Sequence, residues 1–353
     1  MKAKPKVTAQ RKVQIVLGLL WLLDGALQLQ NQMFTSSFAS RVIALAAQGQ
    51  PQFVTGPMTF GIHLFLMHTA IFNSLFAATQ LGIGVLILWK RTVLPGLLLS
   101  VLWGFIVWVF GEGYGGIFSA HTLLLMGAPG AVIIYVILAL AVMPLKDKAK
   151  EPRDRPRIAY WLVFVWLVLW VGGGVYQLLP GQDSTSDMSS MIAANASDAP
   201  GWLSSLDTRV ANTIQGFGKT AMSKNTQTAA SMHMTAGQMA QMPTQTQTST
   251  QSNSGNLFIL LLAVIDICIG FGVLKRGITR KLAISLGIIF SLVFWVIGQR
   301  MGGYFTGLET DPNSGPLFVF LGLTILCVSD LDEKLSGLGY KIQSALVGKP
   351  DPS

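Results

Sequence analysis

Hydrophobic and polar positions alternate along this chain on a coarse scale. Eight apolar runs, at about 13–23, 58–89, 94–110, 129–143, 159–179, 256–274, 282–298 and 316–328, are separated by polar or charged breaks. A span of the hydrocarbon core needs roughly 20 apolar residues in a helix. The run at 58–89 exceeds that by a turn or two, and the first run continues as a helix to about Gln30. The run at 129–143 is short unless the glycine-rich stretch before it enters the membrane. Between 30 and 56, Phe38, Val42 and Leu45 recur at helical spacing among Ser, Gln and Arg41, which predicts an amphipathic helix on the membrane surface. The pattern predicts an all-α polytopic membrane protein of about eight transmembrane helices.

The pattern also repeats. Residues 107–120 (VWVFGEGYGGIFSA) and 294–307 (FWVIGQRMGGYFTG) align with Gly115-Gly116 on Gly302-Gly303, at an offset of 187 that carries Pro129 onto Pro316 without a gap. Further upstream, Gln28-Leu29 align with Gln177-Leu178 at an offset of 149, with Pro51 on Pro200. The second copy therefore holds about 38 additional residues, matching the low-complexity stretch 221–254. This predicts two parallel four-helix repeat units with glycine-rich outer turns, related by an axis along the membrane normal. The first unit occupies 1–145, a charged connector 146–157, the second unit 158–330 with its outer insert at 221–254, and a tail 331–353.

Composition supports membrane residence. Hydrophobic residues make up 51% and charged residues 12%, where a soluble domain carries about a quarter charged. The net charge of +9 points to topology and not to nucleic acid, because the basic residues flank the apolar runs. Of the Lys and Arg residues, 20 fall in segments assigned inside and five outside. Both termini are thus expected in the cytoplasm of a plasma-membrane protein, with loop 180–255 extracytoplasmic. The basic start and short apolar run resemble a signal peptide, but Asp24 follows at once and no small-x-small cleavage site appears, which favours a retained helix. Cys268 and Cys327 lie far apart in apolar runs and form no metal or haem motif. No nucleotide-binding, nucleophile-elbow or metalloprotease signature occurs, so no catalytic residue is assigned.

Candidate chemistry lies in the few polar groups of the apolar runs. Glu112 stands where the second copy has Gln299, and Gly113 where it has Arg300, which suggests a Glu112–Arg300 pair across the units, since a charge near the membrane seeks a partner. The glycine turns read either as close-packed structural turns or as backbone lining a cavity. Asp24 and Asp266, with Gly173 and Gln80 as repeat partners, are either relay or substrate groups, or helix residues reaching water. Gln28 and Gln177 occupy equivalent outer positions, and His121 follows the first glycine turn. His63 and His68, five apart, do not share a helical face well enough for a bis-histidine haem. In the outer insert, Met232, His233, Met234, Met239 and Met242 lie among Thr, Gln and Ser. Soft thioethers with an imidazole suit Cu(I), whereas a flexible low-complexity linker explains the same composition.

These residues resemble a known family. GLLWLLDGALQLQ at 18–30, Met33-Phe34, and a surface helix ending in GQPQFV at 49–54, followed by three further spans, look like the DoxX/DoxD-like four-helix membrane proteins. In that family the first span closes with a glycine and a Lys-Leu-x-Pro-like turn before an aromatic residue. Gly25, Gln28-Leu29 and Phe34 take those places here, without the lysine, and Gly174, Gln177-Leu178 and Pro180 match more loosely. The resemblance implies a four-helix unit used twice. It also implies a redox-associated, quinone-linked membrane subunit beside an oxidoreductase partner, as DoxD is for thiosulfate:quinone oxidoreductase. The alternatives are a transporter or copper-handling protein, and a structural subunit with no site of its own.

Overall fold

The computed structural model describes residues 9–119, 123–144, 156–179, 184–196, 199–230, 253–275 and 277–327. Among these the chain is helical and contains no strand. The first half holds α1 (Ala9–Leu27), a short surface helix α2 (Ser36–Ala46), α3 (Gln52–Met67), α4 (Thr69–Leu88), α5 (Val93–Phe110) and α6 (Val132–Ala141). The second half holds α7 (Pro156–Tyr176), α8 (Thr185–Ala196), α9 (Gly201–Ala230), α10 (Asn253–Gly272), α11 (Ile278–Ile297) and α12 (Ser314–Cys327). Three helices, α4, α5 and α11, are long and apolar enough to cross a membrane. That is fewer than the eight the apolar runs predict. The apolar parts of α7, α10, α12 and α6 run to 10–17 residues.

One predicted boundary needs correction. The run at 58–89 is two helices, because His68 leaves helical geometry (φ −148°, ψ 63°) and separates α3 from α4. Both pack against α5, but α4 also packs along α1, while α3 packs with the surface helix. Hydropathy cannot register a change of direction between two apolar helices. The long polar segment contains α8 and α9, and α9 runs to Ala230.

On α1, Val13, Leu17, Trp21, Asp24 and Gln28 are buried at spacings of three and four, one face of a helix. That face approaches α4 through small residues. A Cβ on Gly84 would meet Leu22 and the Gly18 carbonyl at 2.7–2.8 Å, and one on Gly25 would meet Leu81. The second half makes equivalent contacts, with Gly270 against Val171 and Leu167, and Gly174 against Ala263 and Ile267. α1 and α7 correspond at the offset of 149, and α4 and α10 at 186. A single apolar core runs through both halves, from Leu17 and Trp21 to Trp166, Trp170 and Phe318.

The glycine turns correspond in backbone geometry. Gly113 to Gly116 have φ of +53°, +59°, +61° and +76°, and Arg300 to Gly303 have +50°, +52°, +76° and +75°. Four successive left-handed residues reverse the chain where α5 and α11 end. Trp108 Nε1 donates to the Pro129 carbonyl and Trp295 Nε1 to that of Pro312, each at 2.9 Å. Pro129 therefore corresponds to Pro312 and not to Pro316. The offset falls to 183 past the turn, because the second copy's loop is four residues shorter. α6 and α12 keep the new register: Ile134, Tyr135 and Leu138 are buried, as are Leu317, Phe318 and Leu321.

The loops that follow the glycine turns are exchanged between halves. Leu123 to Pro129 lie against the end of α11, where a Cβ on Gly298 would strike the Leu125 carbonyl and Asn195 Nδ2 donates to the Gly298 carbonyl at 2.6 Å. In return, Leu308 is buried in a second apolar cluster with Met33, Phe38, Val54, Met58 and Phe65 of the first half. Gln30 Nε2 fixes the same strip by donating to the Glu309 carbonyl at 3.1 Å.

Candidate functional site

The exchanged segment roofs a cavity of about 320 Å³ in the first half. α1 contributes Trp21, Asp24 and Gln28, α4 contributes Gln80, α5 contributes Trp103, and α6 contributes Tyr135. Glu112 enters from the start of the first glycine turn, and Thr310 and Asp311 from the second half. Phe38, Phe65, Phe72 and Phe76 complete an aromatic wall. Phe60 (65% exposed), Leu64, Ile106 and Phe110 line the cavity and are also exposed on the outer surface of α3 and α5, so the cavity opens sideways between those helices.

Three of the sequence-derived candidates, Asp24, Gln28 and Glu112, meet here. Asp24 Oδ1 accepts from Tyr135 OH at 3.1 Å. Gln28 and Asn73 exchange two hydrogen bonds, Gln28 Nε2 to Asn73 Oδ1 at 2.6 Å and Asn73 Nδ2 to the Gln28 carbonyl at 2.9 Å. Glu112 Oε1 accepts the Val132 amide at 3.1 Å, capping the start of α6. Gln299 does the same for α12, its Oε1 accepting the Gly315 amide at 3.0 Å. Two buried acceptors that line the cavity have no hydrogen-bond partner, Gln80 Oε1 and Glu112 Oε2.

Burial, reinforced by the Asp311 charge, pushes the Glu112 carboxyl up to about 8. Burial also raises Asp311, against hydrogen bonds from Thr310 and the Asn313 amide. Glu309, next along the same segment, is pushed up to about 9 by burial and then by Asp311, with Arg300 opposing. A low-dielectric site holding several carboxyls favours their protonated forms.

The remaining candidates lie elsewhere. Gln177 Nε2 donates to Asp266 Oδ2 at 2.6 Å in the second half, buried between α7 and α10. Arg300 sits in the second glycine turn, and its charge acts on Asp207 and Glu309, while Glu112 has the Val132 amide as its partner. His121 lies outside the described residues, as do Met232, His233, Met234, Met239 and Met242. No metal-ligating cluster of three or more His, Cys, Asp or Glu occurs among the described residues. His63 and His68 are exposed.

The second half fills the equivalent place. Trp21 corresponds to Trp170, Tyr135 to Phe318, Asp24 to Gly173 and Ser100 to Gly287. Trp21 Nε1 donates to Ser100 Oγ at 2.8 Å, whereas Gly287 leaves room for the ring of Trp166. Leu124, from the first half's exchanged loop, lies on Gly173. An aromatic cavity with a few buried polar groups on one side thus corresponds to a plug of Trp166, Trp170, Phe318 and Leu124 on the other.

Nothing in the sequence singles out Tyr135, Asp311 or Asn73, and Gln80 stands out only as the repeat partner of Asp266. An acid cluster at Glu309–Asp311, just past the second glycine turn, was the available signal; the loop exchange that carries it into the first half had none. No family model matches the chain, and comparison with curated proteins and with solved structures gives no match either.

Proposed function

We propose that the chain is an integral membrane protein of two parallel four-helix units, with both termini cytoplasmic and the glycine turns outside. Its first unit binds a small lipid-soluble molecule that enters from the bilayer. The observation that carries this is the sideways mouth: a 320 Å³ aromatic cavity with buried polar groups at its inner wall opens through Phe60, Leu64, Ile106 and Phe110. A water-soluble solute would have to cross that apolar rim, whereas a molecule dissolved in lipid reaches it directly. Ligand pockets of this kind are mostly apolar with a few convergent polar groups. The equivalent contacts at offsets of 149, 186, 187 and 183 support the two-unit reading.

The DoxX/DoxD resemblance makes a quinone headgroup the first candidate ligand and a membrane oxidoreductase the first candidate partner. The test is purification from native membranes, with extraction and mass spectrometry of bound lipids and quinones. Gly61 lines the mouth, and a Cβ there would come within 3.5 Å of Phe110. Gly61→Leu is therefore expected to close the mouth and cut recovered ligand at least about tenfold. Equal recovery from both proteins would overturn lateral entry.

A further inference from the structure

The polar groups of the cavity are badly matched to one another. Three carboxyls line it, Asp24, Glu112 and Asp311, and its lining holds no Lys, Arg or His. Three buried atoms of the lining have no hydrogen-bond partner: Gln80 Oε1 accepts, Trp103 Nε1 donates, and Glu112 Oε2 does either according to its protonation. Gln80 is nine-tenths buried and lines the cavity. A ligand with carbonyl oxygens alone would pair Trp103 Nε1 and leave the Gln80 acceptor and the carboxyl cluster unmatched. A ligand with N–H donors and a positive charge would satisfy Gln80, ionise a carboxyl and meet the faces of Trp21 and Trp103, which attract cations.

We infer that the cavity is a binding site for a lipophilic ammonium ion, taken up in exchange for a proton from its carboxyls. This rests on the reading of the cavity as a site open to the bilayer. The exchange conserves charge: R–NH₃⁺ enters, one carboxyl O–H bond breaks to leave a carboxylate, and the proton departs to water past the Asp311–Glu309 rim. The groups facing the site from each element are Asp24 of α1, Gln80 of α4, Glu112 after α5, Tyr135 of α6, and Asp311 of the exchanged segment. The Asp311 charge also acts on Glu309 and Tyr304, and that of Arg300 on Glu309, while Arg41 on α2 is exposed. The raised position of Glu112, at about 8, is what an acid held in protonated form before exchange requires.

Glu112 is the group to change, because the fold already shows that glutamine serves in its place. Gln299 caps α12 as Glu112 caps α6. The experiment uses the full chain in lipid nanodiscs, with Trp fluorescence reporting cavity occupancy and a pH dye reporting released protons. The probes are 4-phenylbutylammonium, its uncharged isostere pentylbenzene, and a short-chain quinone. An alkylammonium stays charged to about pH 10, so pH acts on the protein alone below that. The expected result is ammonium binding with about one proton released, weakening about tenfold per pH unit below pH 8. Glu112→Gln is expected to lose at least about tenfold in affinity and flatten that pH profile. Pentylbenzene binding as tightly as the ammonium, or an unchanged Glu112→Gln profile in a protein of normal melting temperature, overturns the inference. Binding of the quinone without the ammonium overturns it and leaves the lipid-soluble ligand reading standing. Failure of all three probes removes both.

Discussion

Glu112 and Gln299 have the same structural task and different chemistry. Each side-chain oxygen accepts the first free amide of the following helix, at 3.1 and 3.0 Å. Removing such a cap costs about 1 kcal/mol, so Glu112→Ala should lower the melting temperature while Glu112→Gln should not. The remaining difference is titration. The folded Glu112 lies at about 8, above its ordinary 4.5, so the folded state holds a proton across a window in which the unfolded chain has lost it. Stability is then full below about pH 4.5, falls as pH rises through the window, and levels off above 8. Glu309 extends the fall to about 9. Thermal unfolding in detergent between pH 5 and 9 checks this: the wild type should weaken steadily, and Glu112→Gln should weaken less. A melting temperature rising with pH would contradict the burial of these acids.

At the scale of elements, the two glycine turns are where the sequence was most informative and also where it misled. The repeated glycines and aromatics were legible because a run of left-handed residues is costly for any side chain, about 1–2 kcal/mol each. Such a turn selects glycine visibly. The equivalence of Pro129 and Pro312 was not legible, because a four-residue difference in loop length leaves no mark when a second proline, Pro316, lies at the ungapped position. The break at His68 was equally silent, since both flanking helices are apolar. Packing of the turns sets an order of tolerance. A Cβ on Gly115 would overlap the Pro129 backbone, whereas one on Gly302 would lie 3.1 Å from the Pro312 carbonyl. Both positions also have positive φ. Gly302→Ala is thus expected to cost about 1–2 kcal/mol, and Gly115→Ala more, enough to reduce the yield of monodisperse protein in size-exclusion chromatography. Equal yields would show that the first turn can shift away from α6 without penalty.

Across the whole molecule, the loop exchange explains why the aromatic cavity of the first half has packed side chains at the equivalent place in the second. Each half lends the loop after its glycine turn to the other, but the loans differ: Asp311 comes to the Asp24 side and Leu124 to the Gly173 side. The apolar loan, with Trp166, Trp170 and Phe318, turns the second half into packed core, and the acidic loan completes the site in the first. Sequence periodicity reports such halves as equals, because it sees shared positions and not which neighbour each one meets. A matched pair of substitutions separates the two roles. Leu308 (7% exposed) anchors the strip carrying Asp311, and Leu124 (3%) anchors the reciprocal strip. Truncating either to Ala removes a buried leucine at a cost of about 2–5 kcal/mol, so both variants should melt at similarly lowered temperatures. Only Leu308→Ala frees the roof of the cavity, and only it should weaken 4-phenylbutylammonium binding and reduce the accompanying proton release. If Leu124→Ala weakened binding as much at equal stability, the two halves would be coupled through the shared core, and the acidic strip would not be the element that completes the site.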